Sequence, residues 1–398
     1  MSAEQVSPDG NQVPEEASQA PQVRSLKELM DRVTGKGLPL RSESDAGLLD
    51  PVPFPFFALV GQTEMKLALL LSLINPGTGG VLLIGPRGTG KTTAVRSLID
   101  LLPETPRSRC YYGCLPEDIE TGGIDAVCPD CARKYALGES LTVMDTVRMI
   151  ELPLNARLDD VVGGLDERAA IHDRTRLRRG ILSLADHNIL YIDEVNLLSD
   201  EVVDAILDAA GQGRYTIRRG PLTATYRSRF ILIGSMNPEE GRLRPQIMDR
   251  FGLRVVVKGL SGETDSDDRL EAYRRVSAYQ ANPRTMSNEY SLETEQARQE
   301  IRKARELLPQ VVLTEPAAKA GLAWVEALKI DSLRAEITLF EAGRAYAARD
   351  GRLEVSPEDL RTVAPLALRM RRSTFMETFF QQQDQEDREL KAVWSQDA

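Results

Sequence analysis

Gly85-Pro86-Arg87-Gly88-Thr89-Gly90-Lys91-Thr92 sets a glycine, four residues, a second glycine, a lysine and a hydroxyl in the order a phosphate-binding loop requires. The glycines let backbone N–H groups turn toward a β-phosphate, the Lys91 ammonium neutralises β/γ oxygens, and the Thr92 hydroxyl can ligate Mg²⁺. About a hundred residues later the apolar run Ile189-Leu190-Tyr191-Ile192 ends in Asp193-Glu194. There Asp193 would reach Mg²⁺ through water, and Glu194 would polarise the water that attacks a γ-phosphate. Asn237, just beyond the apolar run 230–233, is the polar group expected to orient that water, although an Asn-Pro pair also marks an ordinary turn.

A second constellation is made of thiols. Cys110, Cys114, Cys128 and Cys131 are all the cysteines of the chain and form two close pairs separated by thirteen residues. Each pair can span one edge of a tetrahedron, and the loop between them contains Gly122-Gly123, so the pattern suits Zn²⁺ held by four sulfurs. An iron–sulfur cluster uses the same ligands, and a disulfide or free thiols also remain compatible with the spacing. Stapling of a long loop is the preferred role, with a redox switch on the ATPase as the sharper alternative. The two histidines, His172 and His187, have no ligand-spaced neighbour and read as structural.

The nucleotide residues need strands to present them. From about residue 53 to 260 short β-rich apolar runs alternate with helical patterns, which predicts an α/β domain with a central parallel sheet. Val81–Ile84, Ile189–Ile192 and 230–233 are continuous apolar runs, as expected of strands covered on both faces. From about residue 288 helical periodicity takes over, with Thr314-Glu315-Pro316 and Ser356-Pro357 as helix starts. The expected organisation is an N-terminal extension over 1–50, disordered for the most part, and an ATPase domain over 51–260 with the four-cysteine insertion at 104–140. A linker over 261–287, a helical lid over 288–372 and a C-terminal tail over 373–398 follow. Residues 1–23, proline-bearing, acidic and without Lys or Arg, cannot bury enough apolar surface to order themselves. For the last residues, 381–398, a docked helix and a plain tail are equally consistent, and no internal repeat is evident.

Composition narrows the classes further. The net charge of −10 over 398 residues opposes generic affinity for nucleic acid, and no basic stripe interleaved with aromatics offers a local exception. No run approaches the roughly 18 to 20 apolar residues of a membrane span, nor does a basic start precede an apolar stretch at the N-terminus. A cytoplasmic protein is expected.

Several further segments carry a family resemblance. Phe54-Pro55-Phe56, Val60-Gly61-Gln62, Met65-Lys66-Leu67-Ala68-Leu69, the phosphate loop, Asp193 to Leu198, Asn237-Pro238-Glu239-Glu240-Gly241, Leu243 to Gln246 and Asp249-Arg250-Phe251-Gly252 resemble the I subunit of magnesium chelatase, an AAA+ ATPase, over about residues 53–372. The resemblance implies an AAA+ ATPase domain followed by a helical lid, a ring of subunits, expected to be a hexamer, and MgATP at the subunit junctions. It implies that Asn237 is the sensor 1 residue, that Arg250 is the arginine finger, with Arg244 as a competitor, and that Arg334 is sensor 2. It also implies that the segment from Glu151 to Asp166 is a projecting insertion in the second helix, that D and H subunits are partners, and that the work done is insertion of Mg²⁺ into protoporphyrin IX. The cysteine cluster departs from the better-known members. Two other classes compete: a MoxR-like AAA+ chaperone that remodels or metallates a protein, and a nucleic-acid translocase, which the charge disfavours.

Overall fold

The computed structural model describes residues 52–110, 112–165, 177–220, 222–241, 243–260 and 266–372. The expectations for the N-terminal extension, His172, Asp166 and the C-terminal tail lie outside the described residues.

Five strands form one parallel sheet: β1 (Val81–Ile84), β2 (Met149–Leu152), β3 (Ile189–Ile192), β4 (Ile231–Met236) and β5 (Leu253–Val256). Their order is β5-β1-β4-β3-β2, with Leu83 opposite Ser235, Ile233 opposite Tyr191 and Val81 opposite Leu253. Successive side chains of a strand face opposite ways, and here the two faces bury into different clusters. Val81, Leu83, Tyr191 and Ile233 join one with the helix Thr63–Ile74, whereas Leu82, Leu190, Ile192 and Leu232 join another with the helix Asp200–Gln212. Strands buried on both faces read as unbroken apolar runs, which is why β1 and β3 run over the residues expected and β4 lies one residue later at its start and extends to Met236.

The first of those clusters continues into the helices Ser291–Leu307, Leu333–Arg349 and Pro357–Leu368, so lid and sheet share apolar packing. Thr314 accepts a hydrogen bond from Ala317 N–H at the start of the helix Glu315–Ala327. Ser356 and Asp359 form a reciprocal capping box on the helix Pro357–Leu368. At the outer edge of the sheet Arg254 of β5 is 1% exposed; it donates to Met370 O at 2.6 Å and pairs with Asp249. Burial and the neighbouring Arg371 push its guanidinium down to about 10.

Two sequence expectations are revised. The stretch 261–287 carries helix at Ser266–Ala281 and, from Pro283, a second helix to Glu289, so among its described residues it is largely helical rather than an open linker. Glu151 and Leu152 belong to the sheet edge β2 rather than to a projecting insertion. The antiparallel pair that follows is Gly163–Leu165 with Leu177–Arg179, and the residues between them lie outside the described set.

Candidate functional site

The sheet order places β1 between β5 and β4, with β3 on the far side of β4, so the C-terminal ends of β1, β4 and β3 converge on one crevice. Gly85 leaves β1 against β5: a Cβ there would stand 2.1 Å from Val257 O, so only glycine allows this approach. Gly88 and Gly90 take φ of +77° and +81°, the left-handed turn a phosphate loop needs. The helix Lys91–Arg96 then begins at the loop.

Residues 87–93 of the loop, with Asp193, Glu194, Ser235 and Asn237, line a cavity of about 370 Å³. The Lys91 ammonium donates to the carbonyls of Gly85 and Pro86, each at 2.7 Å. Desolvation lowers its pKa, against the pull of Asp193, Glu194 and Glu240. Thr92 Oγ1 lies 3.0 Å from the Tyr191 hydroxyl, which donates to Asp193 Oδ1 at 2.9 Å, and Ser235 Oγ donates to the same carboxylate oxygen. The two residues suited to hold Mg²⁺ are therefore connected through one buried phenol, whose pKa burial raises to about 12. Oxygen ligands from a hydroxyl and a carboxylate suit the hard Mg²⁺ ion.

Glu194 sits in the left-handed region at φ +52°, and its N–H donates to Ser235 Oγ at 3.0 Å. Arg87 forks between carboxylates: Nη2 lies 3.0 Å from Glu194 Oε1 and Nε 2.5 Å from Glu240 Oε1. Asn237, 3% exposed, donates to Glu240 Oε1 at 3.1 Å and accepts from Glu239 N–H. Asn237, Glu240, Arg87 and Glu194 thus form one chain of contacts. Sequence reasoning did not single out Tyr191, Ser235 or Glu240. The signal for Glu240 was its place two residues after Asn237-Pro238; Ser235 and Tyr191 carried none beyond lying on strands.

Arg250 and Arg334 stand apart from this crevice. Both line a second cavity of about 460 Å³ together with Gly77–Gly80 and Gly252, at the N-terminal ends of β1 and β5. Arg250 closes the helix Pro245–Arg250 and pairs with Asp204 and Asp208 at 3.0 Å each. Arg244, the competitor, pairs with Asp200 and keeps 68% of its side chain exposed. Phosphate-loop and arginine groups therefore occupy opposite ends of the sheet within one chain, as they would if each served a junction with a different neighbour.

The four cysteines come together on a separate module, whose stem is the antiparallel pair Thr105–Ser108 with Thr142–Asp145. Their sulfurs lie within 4.8 Å of one another, and Cys110 Sγ is 3.6 Å from both Cys114 and Cys128. A disulfide brings its sulfurs to about 2.05 Å, whereas zinc bonds of about 2.3 Å space tetrahedral thiolates about 3.8 Å apart. A multinuclear iron–sulfur cluster inserts its metal and sulfide core between the thiolates and needs them farther apart. The donor set fits a single four-coordinate ion. Tyr112 N–H points at Cys110 Sγ and Cys128 N–H at Cys114 Sγ, outer contacts of the kind that steady thiolate ligands. Among the described residues no helix is long and apolar enough to cross a membrane.

Comparison with known proteins agrees with this geometry. Residues 75–236 match a family model described as an AAA domain and residues 326–392 one described as an AAA lid domain. The magnesium-chelatase subunit ChlI homolog of Methanocaldococcus jannaschii is 43% identical over 326 residues, covering 81% of this chain and 87% of its own. The magnesium-chelatase 38 kDa subunit of Acidiphilium rubrum is 42% identical over 321 residues, covering 80% and 90%. Among solved structures, a putative ATPase from Cytophaga hutchinsonii superposes with a TM-score of 0.51 at 21% identity, covering 79% of this chain and 84% of that one, a likeness of fold. With a parallel AAA sheet, a helical lid and relatives of this identity over four-fifths of its length, the chain belongs to the magnesium-chelatase I-subunit family of AAA ATPases.

Proposed function

We propose that the protein is the ATPase motor subunit of a magnesium chelatase, working with D and H subunits to insert Mg²⁺ into protoporphyrin IX. The observation that carries the ATPase part is the gathering of Lys91, Thr92, Asp193, Glu194 and Asn237 around one crevice. The names of its relatives support the chelatase part.

In this reading the loop N–H groups from Gly85 to Thr92 and the Lys91 ammonium bind the phosphates of ATP, while Thr92 and Asp193 hold Mg²⁺. The bound ion neutralises charge on the β- and γ-phosphates. Glu194 takes the proton of the attacking water as its oxygen bonds to the γ-phosphorus and the bond to ADP breaks. Asn237 orients that water. Arg250 and Arg334 supply positive charge to the γ-phosphoryl group of a neighbouring copy, which ties turnover to ring assembly. A hexameric ring in the cytoplasm completes the reading, as does a resident zinc ion on Cys110, Cys114, Cys128 and Cys131.

Glu194→Gln tests the assignment of the base. It removes the proton acceptor and keeps the shape, so ATP binding and assembly are expected to persist while turnover falls by about 10² to 10⁴. Hydrolysis by this variant at the parent rate would refute the assignment.

A further inference from the structure

The four-cysteine module is fastened to the body of the molecule by charge as well as by its stem. Its small apolar cluster, Cys114, Val127, Cys131 and Leu141, is distinct from that of the neighbouring hairpin, which holds Ile217 and Tyr226. A cleft of about 860 Å³ lies between module and hairpin. Two acidic residues reach across. Asp118 accepts a hydrogen bond from Arg227 through Oδ1, and Glu117 lies 3.6 Å from Arg229.

Asp118 is also bonded to the ligand-bearing turn. Its Oδ2 accepts from Leu115 N–H at 2.8 Å, one residue after Cys114, while Ser108 Oγ donates to Cys114 O at 2.6 Å. Arg227 lines the same cleft as Cys114, and four thiolates on one divalent ion would leave a net negative centre for that guanidinium to face. The Arg227 and Asp118 side chains are only 17% and 23% exposed. A pair so shielded is not the exposed kind that contributes little, and Glu117, 4.0 Å from Arg227, is a weaker second partner.

We propose that the zinc centre is a clamp on the hairpin Arg214–Arg219/Leu222–Arg227: by fixing the Cys114 turn it presents Asp118 and Glu117 to Arg227 and Arg229. The proposal rests on zinc being resident in this site. The clamped hairpin leads from the helix Asp200–Gln212, whose Asp204 and Asp208 hold Arg250, into β4, which Asn237 directly follows. Metal occupancy thereby bears on the segment that joins the two groups assigned to hydrolysis.

The test is elemental analysis followed by amide hydrogen exchange of the full chain, with its metal and after stripping by a thiol-reactive mercurial and a chelator, alongside Asp118→Asn. About one zinc per chain is expected. Stripping should speed exchange in residues 214–227 about tenfold, and Asp118→Asn should do so with zinc retained, while β1 and β3 stay protected in the variant. Zinc present but hairpin exchange unchanged in Asp118→Asn overturns the clamp and leaves the resident metal standing. Iron with labile sulfide, or no metal at all, overturns the resident zinc and the clamp with it.

Discussion

Two nitrogens of the Arg87 guanidinium converge on a single oxygen of Glu194, Nη2 at 3.0 Å and Nε at 3.2 Å, leaving the other carboxylate oxygen outside the fork. A side chain of the phosphate loop thus positions the residue proposed as base, with Glu240 as its second anchor. Arg87→Ala should lower kcat about tenfold or more while KM for ATP changes less than about threefold, because Lys91 and the loop N–H groups still bind the phosphates. Arg87→Lys should recover part of the loss, since an ammonium restores the charge but not the planar, longer fork whose separate nitrogens reach Glu194 and Glu240. Steady-state ATPase over a range of ATP concentrations decides. A raised KM at unchanged kcat would make Arg87 a phosphate ligand instead.

Tyr191 links Thr92 to Asp193, the two residues proposed to hold Mg²⁺. Tyr191→Phe keeps the packing and removes that link, so the Mg²⁺ concentration for half-maximal ATPase should rise about tenfold, in line with other outer-shell substitutions at metal sites. A magnesium titration at saturating ATP measures it, and an unchanged midpoint would show that the phenol serves the core alone.

Arg250 and Arg334 line a cavity at the end of the sheet opposite the phosphate loop. If Arg250 acts across a junction, chains carrying Arg250→Ala and chains carrying Glu194→Gln, each inactive alone, should recover part of the ATPase when mixed. Junctions then form between an intact crevice and an intact arginine. An arginine acting within its own chain predicts no recovery at any ratio.

The lid has an acid-sensitive cap. Arg352 grips Asp359 with two hydrogen bonds of 2.7 and 2.6 Å, and Ser356 N–H and Oγ donate to the same carboxylate. Desolvation opposes ionisation, but these donors outweigh it and hold the Asp359 carboxyl below its ordinary 3.8. The folded chain therefore binds this proton less readily than the unfolded chain. The stabilisation is complete above the unfolded value and is lost as pH falls through the folded one. Asp359→Asn should cost about 1 to 2 kcal/mol at neutral pH, a figure reduced for the partial exposure of Arg352. It should also flatten the loss of stability below about pH 4. Denaturant unfolding across pH 2 to 7 checks both.

Much of this was legible because the chemistry and the burial coincide in the sequence. β1 and β3 run unbroken and apolar into the phosphate loop and the paired acids, and β4 into Asn237. The sheet edges were hidden: β2 carries Glu151 and β5 carries Arg254, charges that break an apolar run. Arg254 is tolerated in the interior because the carbonyl of Met370, more than a hundred residues away, receives it. The helix Ser266–Ala281 leaves little trace in the sequence, since acidic and basic residues recur through it and it shows little apolar face. The grip of Arg87 on Glu194 and Glu240, and the placing of Arg250 and Arg334 on one cavity, depend on chain crossings that spacing cannot report. The cysteines behaved differently. Their spacing left zinc, iron–sulfur and disulfide open, and the sulfur separations fit a single four-coordinate ion better than a disulfide or a multinuclear cluster.

Metal insertion into a porphyrin is the work proposed for this ATPase. Its direct test is fluorescence-detected, ATP-dependent Mg²⁺ insertion into protoporphyrin IX, with this chain as the I subunit beside matching D and H subunits. Magnesium-porphyrin formation that requires both ATP and the H subunit, and that disappears with Glu194→Gln, is the predicted result. Steady ATP hydrolysis with no magnesium-porphyrin formed would contradict the claim and shift the client toward a remodelled protein.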